Sequence, residues 1–233
     1  MNITTIQDLL NDERKMILNG ERDYEEYFIN TSNCNKLFNS FIQISNLNNF
    51  LFEQWFVYIR NHNLLAIFSA TSRHHVQAMM NLRQVIESGI FAAYAIKSPN
   101  ENFQDKNSKK IKEKIYNWIE EDHQNYSTDL KFIKKHINKT SAHANFISTY
   151  KTYNLNKKEK KINTHFFDFK NEFNIKLDLL FIAKSNLILM SLFHLVNKKN
   201  NSIKFIDDFK SKLEILEKNN LKLFKILKSK KTI

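Results

Sequence analysis

The stretch SRHHVQAMMNLRQVIESGIFAAYAIKSP, residues 72–99, decides the fold. Val76, Met79, Ile86, Ile90 and Ala93 fall on one helical stripe, and Ala78, Leu82, Val85, Gly89 and Ala92 on an adjoining one. A helix apolar over that much of its circumference belongs at the centre of a fold. Ser98-Pro99 ends it, because a proline pushes the residue before it out of the helical region. Gly89 costs about 1 kcal/mol relative to Ala inside a helix, so its expected purpose is a close approach by a neighbouring helix.

The punctuation of turns and sheets is almost missing: 233 residues hold two glycines and one proline. Long uninterrupted helices follow. A first helix is expected over Thr5–Asn19 with Gly20 as its C-terminal cap. Apolar residues at spacings of three and four run from Cys34 to Ser69, with interruptions expected near Asn46 and Asn61. Ile111, Ile115, Trp118 and Ile119 mark another helix, and a further one is expected over 128–146. Residues 147–169 permit either a short two-stranded β-hairpin or an irregular loop. A second central helix covers about 172–196. The expected fold is an all-α, multi-helix bundle with buried central helices near 76–96 and 177–196.

Residues 1–200 read as the bundle, and 201–233 as a basic amphipathic C-terminal helix. In that tail Ile206, Phe209, Leu213, Leu216, Leu223 and Leu227 take heptad a and d positions, with Asn220 in an a slot. Barely three heptads favour packing on the chain's own bundle, and leave homodimerisation open. The apolar run 177–196 carries Asp178, Lys184, Asn186 and His194, and a mid-span Lys alone costs roughly 2.5–3.5 kcal/mol in a bilayer. No integral membrane span is expected. A lone cysteine, Cys34, and no signal-peptide pattern point to a reducing cytoplasm.

The formal charge of +12 is uneven: eight basic against nine acidic residues up to position 100, and 28 against 15 after it. The basic C-terminal half suits an anionic partner, either nucleic acid or an acidic protein. An A/T-biased coding sequence would also enrich Lys, Asn, Ile and Phe, placing lysines on solvated faces without a partner. With only Gly20 and Gly89 available, phosphate cradles and dinucleotide turns cannot be built, which excludes Walker-type NTPases, Rossmann enzymes, protein kinases and Gly-x-Ser-x-Gly hydrolases. Neither a cofactor nor a metal is expected. The one Glu-x-x-His spacing, Glu120 to His123, lacks the second copy that a di-iron bundle needs, and adjacent His74 and His75 point about 100° apart.

Arg83 and Glu87 stand one turn apart on the central helix. In the apolar seam of Val76, Met79, Ile86 and Ile90, a buried guanidinium must be paired. The pair either fixes packing register or anchors a polar site to which the later segment KTSAHAN contributes Ser141 and His143.

The stretch NLRQVIESGIFAAYAI, followed some fifty residues later by TSAHAN, resembles uncharacterised bacterial helical proteins of the domain-of-unknown-function kind, broadly similar to HEPN bundles. The resemblance covers about residues 72–145. It implies a helical fold and a role in bacterial defence or mobile-element biology; some HEPN proteins are metal-independent ribonucleases that use an Arg-x(4–6)-His motif at a dimer interface. None of the five arginines here, Arg14, Arg22, Arg60, Arg73 and Arg83, has a histidine at that spacing. Two functions are therefore carried forward: a non-catalytic helical binding or regulatory protein, and a ribonuclease in which Arg83, Glu87, Ser141 and His143 converge as catalytic residues.

Overall fold

The computed structural model describes residues 5–45, 50–101, 108–140, 153–156, 161–164, 166–168 and 171–230. Within them the chain forms eight helices: α1 (Ile6–Leu18), α2 (Gly20–Ser40), α3 (Phe50–Thr71), α4 (His75–Lys97), α5 (Ser108–Asp122), α6 (Gln124–Thr140), α7 (Glu172–Asn200) and α8 (Phe209–Ser229). Four short strands complete it: β1 (Ile42–Ser45), β2 (Tyr153–Asn156), β3 (Lys161–Thr164) and β4 (Ile203–Phe205). The architecture is the all-α bundle expected, and β2 and β3 form the antiparallel hairpin, with Tyr153 opposite Thr164 and Asn156 opposite Lys161.

Helices α4 and α7 form the centre. Met79, Leu82, Val85 and Ile86 of α4 and Leu179, Ile182, Leu189, Met190 and Phe193 of α7 are fully enclosed. Helix α3 packs along α4, while α2 and α8 cover α7. Gly89 faces Leu189: a Cβ at position 89 would overlap both Leu189 methyl groups, so the glycine serves helix approach rather than chain flexibility. Helix α7 is long and apolar enough to cross a membrane, yet 78% of its most apolar 18-residue window is buried inside the bundle. Its apolar surface is therefore spent on core packing.

Two local expectations need correction. Helix α1 ends at a cap on Asn19, and Gly20 starts α2 without a positive φ. Gly20 is required instead because a Cβ there would lie 2.7 Å from Phe28 Cε2 and 2.8 Å from Thr71 Cγ2. Asn61 does not interrupt α3, which runs unbroken from Phe50 to Thr71, since the packing of Phe52, Phe56, Ile59 and Ala66 outweighs the modest helix preference of asparagine. Instead, α2 stops at Ser40 and the chain enters β1, which pairs antiparallel with β4.

The β1–β4 pair is held by aromatic packing. Phe41, fully buried, has the rings of Phe38, Phe56, Phe205 and Phe209 within 5.4–5.8 Å, and its carbonyl accepts from the Ile206 N–H at 3.0 Å. Asn197 shapes the exit from α7. Its Oδ1 accepts from the Ser202 and Ile203 N–H groups, and its Nδ2 donates to the Ile203 carbonyl. The chain then reverses at Asn201 in the left-handed region, φ 44°. Helix α8 returns along the bundle with Phe209, Leu213, Leu223 and Leu227 buried. Asn220 is buried too, and its Oδ1 accepts from Asn30 Nδ2 of α2 at 3.0 Å, fixing the register of α8.

The α4–α7 approach makes a testable claim. Overpacking a tight core costs about 1–3 kcal/mol, against roughly 1 kcal/mol of helix propensity gained by replacing Gly with Ala. Gly89→Ala should lower stability in urea denaturation, and Gly89→Ala with Leu189→Val should regain part of the loss. A more stable Gly89→Ala protein would show slack between the two helices.

Candidate functional site

Arg83 and Glu87 do pair, with Arg83 Nε donating to Glu87 Oε1 at 3.0 Å. They are not in the core: their side chains are 33% and 27% exposed, and Val76 of the same stripe is 37% exposed. This flank of α4 faces α6 rather than α7. Lys134 of α6 places its Nζ 3.1 Å from Glu87 Oε1, and Arg83 Nη1 donates to Asn138 Oδ1 at 3.2 Å. Burial pushes the Glu87 carboxyl up, but the Lys134 charge and the hydrogen bonds from Lys134 and Arg83 outweigh it and hold the group below its ordinary value. Glu87 is thus held as a carboxylate that accepts from both cations. The cluster docks α6 on α4. Ser141 and His143 lie outside the described residues.

A second polar pair was not evident from the sequence. His75, at the start of α4, places Nδ1 2.6 Å from Asp178 Oδ2 of α7, with the two residues 8% and 2% exposed. Asp168 Oδ2 accepts from the His75 backbone N–H at 2.9 Å, and the Asp168 N–H donates to the Arg73 carbonyl. These bonds brace the turn between α3 and α4, where Arg73 has φ 63°. The available signal was Asp178 itself, the single acid in an apolar run of twenty residues; a buried carboxylate requires a partner. His75 Nε2 is buried and has no hydrogen-bond partner among the described residues, so the pair is walled off and serves as a tie between α4 and α7.

The described surface that could engage a partner lies between α6 and α8. A groove of about 530 Å³ runs over α7, with Phe132 of α6 and Leu221 and Phe224 of α8 on its walls and Phe181 on its floor. Phe132 is 55% exposed. The Phe181 ring lies 6.3 Å from Phe132, 5.9 Å from Phe224 and 4.7 Å from His136, so the rings form one continuous cluster. Charges of both signs border it: Lys184 Nζ sits 5.9 Å from the Phe132 ring and pairs with Asp129 at 2.9 Å, Lys228 Nζ sits 4.9 Å from the Phe224 ring, and Glu217 also lines the groove. Lys139 on α6 and Lys218, Lys222 and Lys225 on α8 are exposed and make no ion pair among the described residues. The basic half of the sequence anticipated the lysines; the convergence of Phe132, Phe181 and Phe224 needed the fold.

The two polar pairs should behave differently on truncation. His75→Ala leaves the enclosed Asp178 carboxylate unpaired and should cost about 3–5 kcal/mol, whereas Arg83→Ala, at a part-exposed pair, should cost under about 1 kcal/mol. Urea denaturation of the two variants checks this; equal losses would contradict it. Comparison with protein-family models, curated proteins and solved structures finds no match for this chain.

Proposed function

We propose that the protein is a non-catalytic helical module that binds single-stranded RNA along the α6–α8 groove. The observation that carries the reading is the aromatic cluster in the groove, with Phe132 exposed, Phe224 half-buried and Phe181 beneath them, bordered by Lys184 of α7 and Lys228 of α8. Single-stranded nucleic acids are held by that combination, bases stacking on rings while cations follow the backbone. A stacked base contributes about 1–3 kcal/mol and needs no particular sequence, because every base has a π-face. The unpaired lysines on α6 and α8 supply the phosphate contacts, at no cost of breaking an existing ion pair. An acidic protein would use the same lysines but would gain nothing specific from the rings.

The ribonuclease reading uses His143 as general acid or base and Arg83 to stabilise the phosphorane charge, and His143 lies outside the described residues. Among the described residues Arg83 bonds to Glu87 and Asn138, which ties α4 to α6. The binding reading rests on the groove between α6 and α8, and is favoured for that reason.

Fluorescence anisotropy with a labelled oligouridylate tests it. Affinity should fall steeply with salt, log K against log salt having a slope of about −0.7 for each phosphate contact. Phe132→Ala should weaken binding by about 5-fold to 150-fold, the equivalent of one lost stacked base, with thermal stability unchanged because the ring is mostly exposed. Unaltered binding by Phe132→Ala, or affinity insensitive to salt, would contradict the reading. Cleavage of the RNA in EDTA, lost in His143→Ala, would replace it with the ribonuclease.

A further inference from the structure

A second cavity lies on the opposite flank of α6, between α4, α5 and α6, with a volume of about 340 Å³. Its floor is apolar and enclosed: Ile90, Ile119 and Leu130 are 3%, 1% and 1% exposed. That is the small end of the range for ligand pockets, about 300–1,000 Å³, and more than twice the roughly 150 Å³ void that holds benzene.

Its polar rim is one-sided. Lys131, Lys134 and Lys135 of α6 line the cavity together with Asn138 and Tyr116, and no carboxylate among the described residues lines it. The two acids that neutralise lysines here stand outside the lining: Glu120 holds Lys131 at 2.6 Å and Glu87 holds Lys134 at 3.1 Å. Lys135 has no ion pair among the described residues. Asn138 accepts from Arg83 through Oδ1, which leaves its Nδ2 free to donate. Tyr116 presents a flat ring on the wall, with Lys134 Nζ 5.1 Å from its centre.

From this arrangement we propose that the α4–α5–α6 cavity binds a small aromatic anion, its ring on the apolar floor beside Tyr116 and its phosphate or carboxylate head on Lys135 and Asn138. A purely apolar ligand would leave the lysine rim unused, and a bare inorganic anion would leave the floor empty. The ring and the head are both required because the cavity offers both surfaces within one ligand length. The Arg83–Asn138 bond gives the predicted α4 pair a place beside this site: it orients the Asn138 amide. The site does not depend on the RNA reading, since it shares no residue with the α6–α8 groove.

The test is isothermal titration calorimetry of the full chain with phenyl phosphate, benzoate, phenol and inorganic phosphate, each separately. Phenyl phosphate or benzoate, or both, should bind at least ten times more tightly than phenol and inorganic phosphate, and the better of the two identifies the head group. Lys135→Glu should lower that affinity tenfold or more while retaining the wild-type melting temperature, and Tyr116→Ala should lower it by a similar factor in a chain that remains folded. Phe132→Ala, in the other groove, should leave it unchanged. Failure of both aromatic anions to bind at millimolar concentration overturns the proposal, as does equal affinity in Lys135→Glu. Loss of RNA binding with the phenyl phosphate affinity intact would sink only the RNA reading.

Discussion

The bundle depends on the contact between α4 and α7 at Gly89 and Leu189. Both helices are apolar over most of their circumference, so each must be covered on several sides, and they can share a centre only by approaching closely. A side chain at position 89 would occupy the space of the Leu189 methyl groups. With that distance fixed, α3 covers one side of α4, α2 and α8 cover α7, and α5 and α6 close the remaining flank. The two grooves on either side of α6 follow from this layout, because α6 touches both central helices without filling the space beside itself.

Apolar packing alone would leave the helices free to slide, and polar ties restrict them. His75 to Asp178 joins the start of α4 to α7; Asn30 to Asn220 joins α2 to α8; Asn197 sets the turn from α7 into β4. Each tie satisfies polar groups that would otherwise be costly to bury, so a slipped register strands them. Cys34, by contrast, is enclosed with its thiol pushed up to about 12 by burial, which makes it a small packing residue in place of a nucleophile.

Much of the fold was legible because α4 and α7 carry strong local signals. Ser98-Pro99 stops α4, and apolar periodicity runs the length of both helices. The β1–β4 pair was not legible: strands of four and three residues, some 160 positions apart, exist only because the Phe41 cluster brings them together. Gly20 misled for a related reason, as its requirement comes from Phe28 and Thr71 and not from its own backbone angles. At the candidate site, Arg83 and Glu87 were correctly paired, but periodicity placed them on the core side of α4. The deciding neighbours, Lys134 and Asn138, lie about fifty residues on and carry no local mark of that role. The excess of lysine after position 100 was visible from counting; only the fold shows that part of it frames a row of aromatic rings.

Under the proposed function, single-stranded RNA contacts the α6–α8 groove. Ultraviolet crosslinking of an oligouridylate to the native chain, followed by mass spectrometric mapping of the modified peptides, reads this directly. The account predicts crosslinks concentrated on the α6 and α8 peptides that carry Phe132 and Phe224 and lost at high salt. Crosslinks confined to α1 and α3, or none under conditions where RNA is bound, would contradict it.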